Sequence, residues 1–150
     1  WGVARRHHMK ILRAKEYPKD IGLCVRAFRV DELRFLPSDK WLRVRMERFG
    51  YDESFRVAGM LFPIAVSTHN HKWVRRRIEV EPNNPENTNL DKDGKIIEGL
   101  YVHVGHKRVL WARENGFDAI EGYLINSTRD RQIIKRATHI PHEKIPKRRR

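Results

Sequence analysis

Between residues 95 and 125 the chain follows a pattern that few local structures satisfy. Leu100-Tyr101-Val102-His103-Val104 is apolar and rich in β-branched residues, and Gly105 breaks it. Residues 106–115 then carry a helical stripe through Val109, Ala112 and Arg113, and Gly116 stands where a left-handed C-terminal cap belongs. Residues 119–125 return to an apolar run. The spacing predicts strand, turn, helix, turn, strand, and the chain as a whole reads as α+β, a small mixed sheet with packed helices.

The flanking sequence extends this frame. Leu23, Val25, Phe28 and Val30 predict a strand over residues 23–30, followed by a short helical turn opened by Asp31. Ser38 is placed to cap a helix over residues 38–49 that Gly50 ends. Phe62-Pro63-Ile64-Ala65-Val66 reads as a short buried strand entered through a proline, and residues 73–80, partly alternating and β-branched, as the next strand. Residues 81–94 are rich in Pro, Asn and Asp and read as an exposed loop. After Asn126, the spacing of Ile133, Ile134 and Ala137 predicts a last helix opened by Ser127 or Thr128. Three parts result: a basic N-terminal arm (1–20), a domain (21–138) and a basic tail (139–150).

A chain of 150 residues is long enough for one domain with a real core. Its 32 Lys and Arg against 19 Asp and Glu leave a formal charge of +13, which points to a polyanionic partner. The longest uncharged stretch, residues 57–70, contains Gly59 and Pro63 and falls short of a membrane span. The lone Cys24 excludes an internal disulfide and a multi-cysteine zinc site, so a reducing compartment is expected. Met9-Lys10-Ile11-Leu12 reads as a natural opening, with residues 1–8 a tag remnant, upstream sequence or the trimmed end of a precursor.

The chemistry concentrates in Gly105-His106-Lys107-Arg108, where a strand ends on glycine and a basic cluster opens a helix. The first N–H groups of a helix are unpaired and its dipole favours an anion, glycine admits a ligand close to the backbone, and Lys107 and Arg108 add charge. This is the expected phosphate-binding site. Nucleic-acid contacts are expected from Arg75 and Arg77, which on a strand would share one face, and from Lys147, Arg148, Arg149 and Arg150 in the tail.

These residues resemble the ParB/sulfiredoxin superfamily, whose signature is a strand leading into Gly-x-(His/Arg)-Arg, a helix with a spaced Ala and Gly, and a following strand, preceded upstream by a Pro-Ile-x-Val strand. This chain offers Pro63-Ile64-Ala65-Val66, Gly105 to Arg108, Ala112 and Gly116, and the strand through Ile120; Val30-Asp31-Glu32-Leu33 looks like the opening of such a domain. The likeness covers roughly residues 25–130 and implies a ParB/sulfiredoxin-like fold that binds DNA, a nucleotide such as CTP or ATP with Mg²⁺, or both. A sulfiredoxin would carry its catalytic cysteine within the motif, which has none here, so reductase activity is not expected. Partition-class ParB proteins continue into a Glu-Asn-x-x-Arg helix and a DNA-reading helix-turn-helix; only residues 126–136, with Arg129, Arg131, Lys135 and Arg136, stand in that place. The resemblance thus implies a stand-alone ParB-like domain of the kind found in phage and mobile elements and often described as nuclease-like, at work in a bacterial or phage-infected cytoplasm, with DNA favoured over RNA.

Hydrolysis of CTP or ATP, or cutting of DNA, would need a metal-binding carboxylate near the turn, and Glu98 and Glu114 are nearest in sequence. No catalytic residue is assigned. A second reading, of a different class, is a structural RNA-binding subunit of a ribonucleoprotein such as an organellar ribosome, located in an organellar matrix. No metal site is expected: His69-Asn70-His71 reads as a polar turn, and Asp91 and Asp93 with Gly94 lack the later ligands of a calcium loop. Nothing in the spacing of His103, His106, His139 and His142 requires them to meet. Trp41, Trp73 and Trp111 are expected in the core rather than stacked on bases.

Overall fold

The computed structural model describes residues 8–138. Among them a six-stranded mixed sheet is covered by five α-helices, an α+β arrangement. The strands are β1 (Ile11–Leu12), β2 (Val25–Arg29), β3 (Leu33–Arg34), β4 (Ile64–Thr68), β5 (Leu100–Val104) and β6 (Ala119–Leu124). The helices are α1 (Asp39–Phe49), α2 (Tyr51–Ala58), α3 (Lys72–Val80), α4 (His106–Glu114) and α5 (Thr128–Ala137).

β4 lies at the centre, parallel to β6 and antiparallel to β5, and β5 pairs in parallel with β3. β2 runs antiparallel along one edge of β6, from Ala119 to Tyr123. The other edge of β6 therefore takes β1 at its start and β4 at its end, both parallel. β4 and β5 send alternate side chains to opposite faces. Ile64, Val66 and Val102 face a core built with Leu42 and Met46 of α1 and Val109 and Ala112 of α4. On the other face Tyr101 packs with Val74 and Ile78 of α3, and Ala65 with Tyr123, Ile125 and Ile134 of α5.

Local signals set the element ends. The Ser38 hydroxyl accepts from Trp41 N–H and caps α1, and Gly50 closes it in the left-handed conformation. The Ser127 hydroxyl accepts from Asp130 N–H and caps α5. Arg43 ties three helices together, pairing with Asp52 of α2 at 2.7 Å and with Glu114 of α4.

Residues 73–80 are helical, not a strand. Val74 and Ile78, one turn apart, are both buried, and the His71 Nδ1 caps the helix by accepting from Trp73 N–H at 3.1 Å. The β-branched content favours a strand, but the i, i+4 spacing of the two buried apolar residues governs. Arg75 and Arg77 consequently do not share a face: two helical residues apart they diverge by about 200°, and Arg75 is exposed while Arg77 is half-buried and paired with Glu81. Residues 51–58, for which the sequence pattern predicts no helix, form α2, where Tyr51 and Phe55, one turn apart, stack at 5.9 Å. The short helical turn after β2 spans Val30–Glu32, so Arg29 rather than Asp31 holds its N-cap position.

Part of the expected arm belongs to the sheet. Lys10 N–H donates to the Asp118 carboxylate at 2.7 Å, and Asp118 N–H donates to the Lys10 carbonyl at 2.8 Å. Glu121, 8% exposed, accepts from Ala14 N–H at 2.9 Å and from the Tyr17 hydroxyl. Residues 139–150, including Lys147, Arg148, Arg149 and Arg150, lie outside the described residues.

A Cβ on Gly122 would stand 2.7 Å from Ile64 Cγ1 and 3.1 Å from the Ile64 carbonyl oxygen. Gly122→Ala is expected to destabilise the fold by about 1–3 kcal/mol, as over-packing does, in urea unfolding. In an Ile64→Ala background the same substitution should cost measurably less; equal cost in both would show that Ile64 is not what the glycine accommodates.

Candidate functional site

β5 delivers the chain to Gly105, whose φ of +108° few other residues adopt. A Cβ there would lie 2.5 Å from Ile64 Cγ2 and 3.1 Å from Arg108 Nε, so the position demands glycine on space as well as on conformation. α4 starts at once. No side chain caps it, and its first backbone bond is from Val109 N–H to the Gly105 carbonyl at 3.0 Å. Among the described residues the N–H groups of His106, Lys107 and Arg108 have no hydrogen-bond partner.

These residues line a cleft of about 900 Å³. α1 and α2 supply Trp41, Tyr51 and Phe55, the approach to β4 supplies Leu61 and Phe62, and α3 supplies Trp73 and Arg77. The lining therefore combines cationic and aromatic side chains. Lys107 Nζ sits 4.5 Å from the centre of the Tyr51 ring. Arg108 folds back so that Nη1 donates to the Phe62 carbonyl at 2.6 Å. It has no carboxylate partner among the described residues. Burial lowers its pKa to about 10, which leaves it charged at neutral pH.

His106 packs edge-on against Phe35, with ring centres 5.9 Å apart, and its Nε2 makes a long 3.5 Å contact as acceptor for Leu36 N–H. Only part of the residue's surface is open, and the ring lies deep enough that burial, with Lys107, Arg77 and Arg108 nearby, lowers its pKa to about 3. It is a neutral group here and adds no charge for a phosphate.

Among the described residues Glu81 is the one carboxylate that lines the cleft. It is buried; one oxygen pairs with Arg77 and the other accepts from Asn83 N–H at 3.1 Å. Glu114 is engaged with Arg43, and Glu98 lines a separate hollow of about 540 Å³ beside Arg34 and Arg113. The unpaired N–H groups and cations are donors for an anion, while among the described residues no carboxylate that lines the cleft is free for a Mg²⁺ ion. Among the described residues no group of His, Cys, Asp and Glu is arranged to hold a metal. Asp91 closes a turn by accepting from Asp93 and Lys95 N–H groups, both at 2.9 Å.

Beneath α3 lies a buried polar cluster that the sequence did not disclose. His71 and His103, each 5% exposed, bring their rings within 4.5 Å, and His103 Nε2 lies 2.5 Å from the Ser67 hydroxyl. Trp73 stacks on His103 at 4.6 Å, and the Arg131 guanidinium lies 4.1 Å from the Trp73 ring centre. Burial, then His71, Arg131 and His106, lowers the pKa of His103 to about 3. Of the tryptophans, Trp111 is in the core, whereas Trp41 and Trp73 are half-buried and wall the cleft.

Comparison with protein-family models, with curated proteins and with solved structures finds no match to this chain.

His103 and His106 set a pH dependence. Their folded pKa values, about 3, lie below the ordinary value of 6.5, so as pH falls through 6.5 the unfolded chain takes up protons that the folded chain refuses. Stability is therefore complete above 6.5 and falls toward pH 3. Urea midpoints between pH 7 and 5 are expected to drop by the equivalent of up to about 1.4 kcal/mol per pH unit for each histidine. The His106→Gln variant should lose less; a midpoint constant over that range would contradict neutral burial.

Proposed function

We propose that this protein is a ParB-like, nucleic-acid-associated domain that binds a nucleotide, CTP or ATP, with its phosphates on the Gly105–Arg108 turn. The carrying observation is the Arg108 guanidinium, half-buried and without a carboxylate, beside three unpartnered N–H groups at the start of α4. A buried cation without a counter-ion is costly, and an anion on the same turn would balance it. The aromatic walls suit the other end of a nucleotide, because a flat base can stack where a bare phosphate would leave apolar surface wet. The ParB/sulfiredoxin likeness is supported by the succession of β4 entered through Pro63, then β5, the glycine turn, α4 and β6. The reading is one of binding rather than turnover, since Glu98 and Glu114 stand outside the cleft and both oxygens of Glu81 are engaged.

Calorimetric titration with CTP, ATP and inorganic triphosphate, with and without Mg²⁺, tests it. Lys107→Ala removes one charge-assisted contact and should weaken nucleotide binding roughly 10- to 100-fold. Triphosphate alone should bind more weakly than the nucleotide. If the wild-type chain binds neither nucleotide, the cleft does not serve this ligand.

A further inference from the structure

The face of the sheet opposite α1 and α4 carries a second cationic surface. α3 and α5 both cover it, and their apolar residues, Val74 and Ile78 on α3 and Ile134 on α5, are buried beneath them. The helices approach each other through Trp73 and Arg131. Turned away from the sheet are Lys72 and Arg76 on α3 and Arg129, Lys135 and Arg136 on α5, all exposed. Lys72 and Arg76 lie one turn apart on α3 and Arg129 and Arg136 two turns apart on α5, so each helix carries cations along its outer side. None has an ion-pair partner among the described residues, although Arg13, Arg29, Arg43 and Arg56 elsewhere, and Arg77 on the cleft side of α3, each do. Glu79 is exposed on α3, while Asp130 is engaged at the start of α5 by Asn126 N–H.

We propose that this α3–α5 face is a track for the sugar-phosphate backbone of a nucleic acid. The proposal rests on the reading of the protein as nucleic-acid-associated, but it places the polymer on a surface other than the nucleotide cleft. Helices of nine and ten residues are about 13–15 Å long. A surface of that size meets several phosphates, since a duplex presents one charge per about 1.7 Å of its axis. A membrane fits less well. A helix lying in a bilayer interface needs a free apolar face, and the apolar stripes of α3 and α5 are spent on the sheet.

The test is fluorescence anisotropy of the full chain with labelled DNA and RNA duplexes of about 20 base pairs across a salt series. Lys72→Ala, Arg76→Ala, Lys135→Ala and Arg136→Ala are combined in one variant. A control removes equal charge from exposed positions elsewhere: Lys40→Ala, Arg48→Ala, Lys92→Ala and Lys95→Ala. The α3–α5 variant should lose affinity at least about 10-fold and its salt slope should fall by about 3–4, while the control keeps close to the wild-type slope. Stronger loss on one duplex identifies which nucleic acid the track takes. Equal losses in both variants, an unchanged slope, or a loss confined to anionic phosphatidylserine vesicles would overturn the proposal. CTP binding measured on the same variants keeps the two sites apart: failure of the cleft reading leaves this slope difference intact, and failure of the track leaves the Lys107 dependence intact.

Discussion

Ile64 is the residue around which the sheet and the turn are fitted. It is fully buried on the central strand, and its branched side chain occupies the space that a Cβ would need on both Gly105 and Gly122. One contact seats β4 against β6; the other fixes the point at which β5 gives way to α4. Because a β-branched side chain has few rotamers to retreat into, the two glycines cannot be replaced independently of it. The position of the first N–H groups of α4, and so of any anion they receive, is inherited from core packing. The same missing Cβ lets Arg108 turn back over Gly105 to the Phe62 carbonyl.

That packing has an electrostatic consequence. The basic cluster at the turn does not behave as one patch: His106 is neutral, Arg108 is charged but anchored, and Lys107 reaches toward Tyr51. Each lies in a different dielectric environment, and burial is the first cause of both resolved shifts. A surface cluster of the same composition would be solvated and would bind anions weakly and without geometry. Here a cation that is partly removed from water adjoins unpaired backbone dipoles, the condition under which a fixed site discriminates among anions.

Much of the fold was legible because its signals are local. Ser38 and Gly50 bracket α1 as read, and Ser127 opens α5. The succession β5, Gly105, α4, β6 follows directly from apolar runs punctuated by glycine. What escaped depends on distant partners. Ile11–Leu12 is too short to announce itself as a strand; Asp118 and Glu121, more than a hundred residues away, hold that segment to β6. Residues 73–80 satisfy both a strand-like composition and a helical spacing, and only the placement of Val74 and Ile78 against Tyr101 decides between them. The turn itself could be named from sequence, but its walls could not. Trp41 and Trp73 each have the flanking pattern of core residues, and they become walls of a cleft that α2 helps to line.

Trp73 shows how closely the two cationic regions are joined. One ring contact is to His103 inside the fold, another is to Arg131 of α5, and part of the residue lines the cleft. Arg77, one turn later, lies near the same ring and borders the cleft, with Glu81 holding it in place. α3 thus presents Lys72 and Arg76 to solvent on one side and Trp73 and Arg77 to the cleft on the other. A helix only nine residues long has little room to tilt without moving both sets together. The apolar stripe of Val74 and Ile78 is therefore the common support of the cleft wall and of the basic face, although neither residue touches a ligand in either reading.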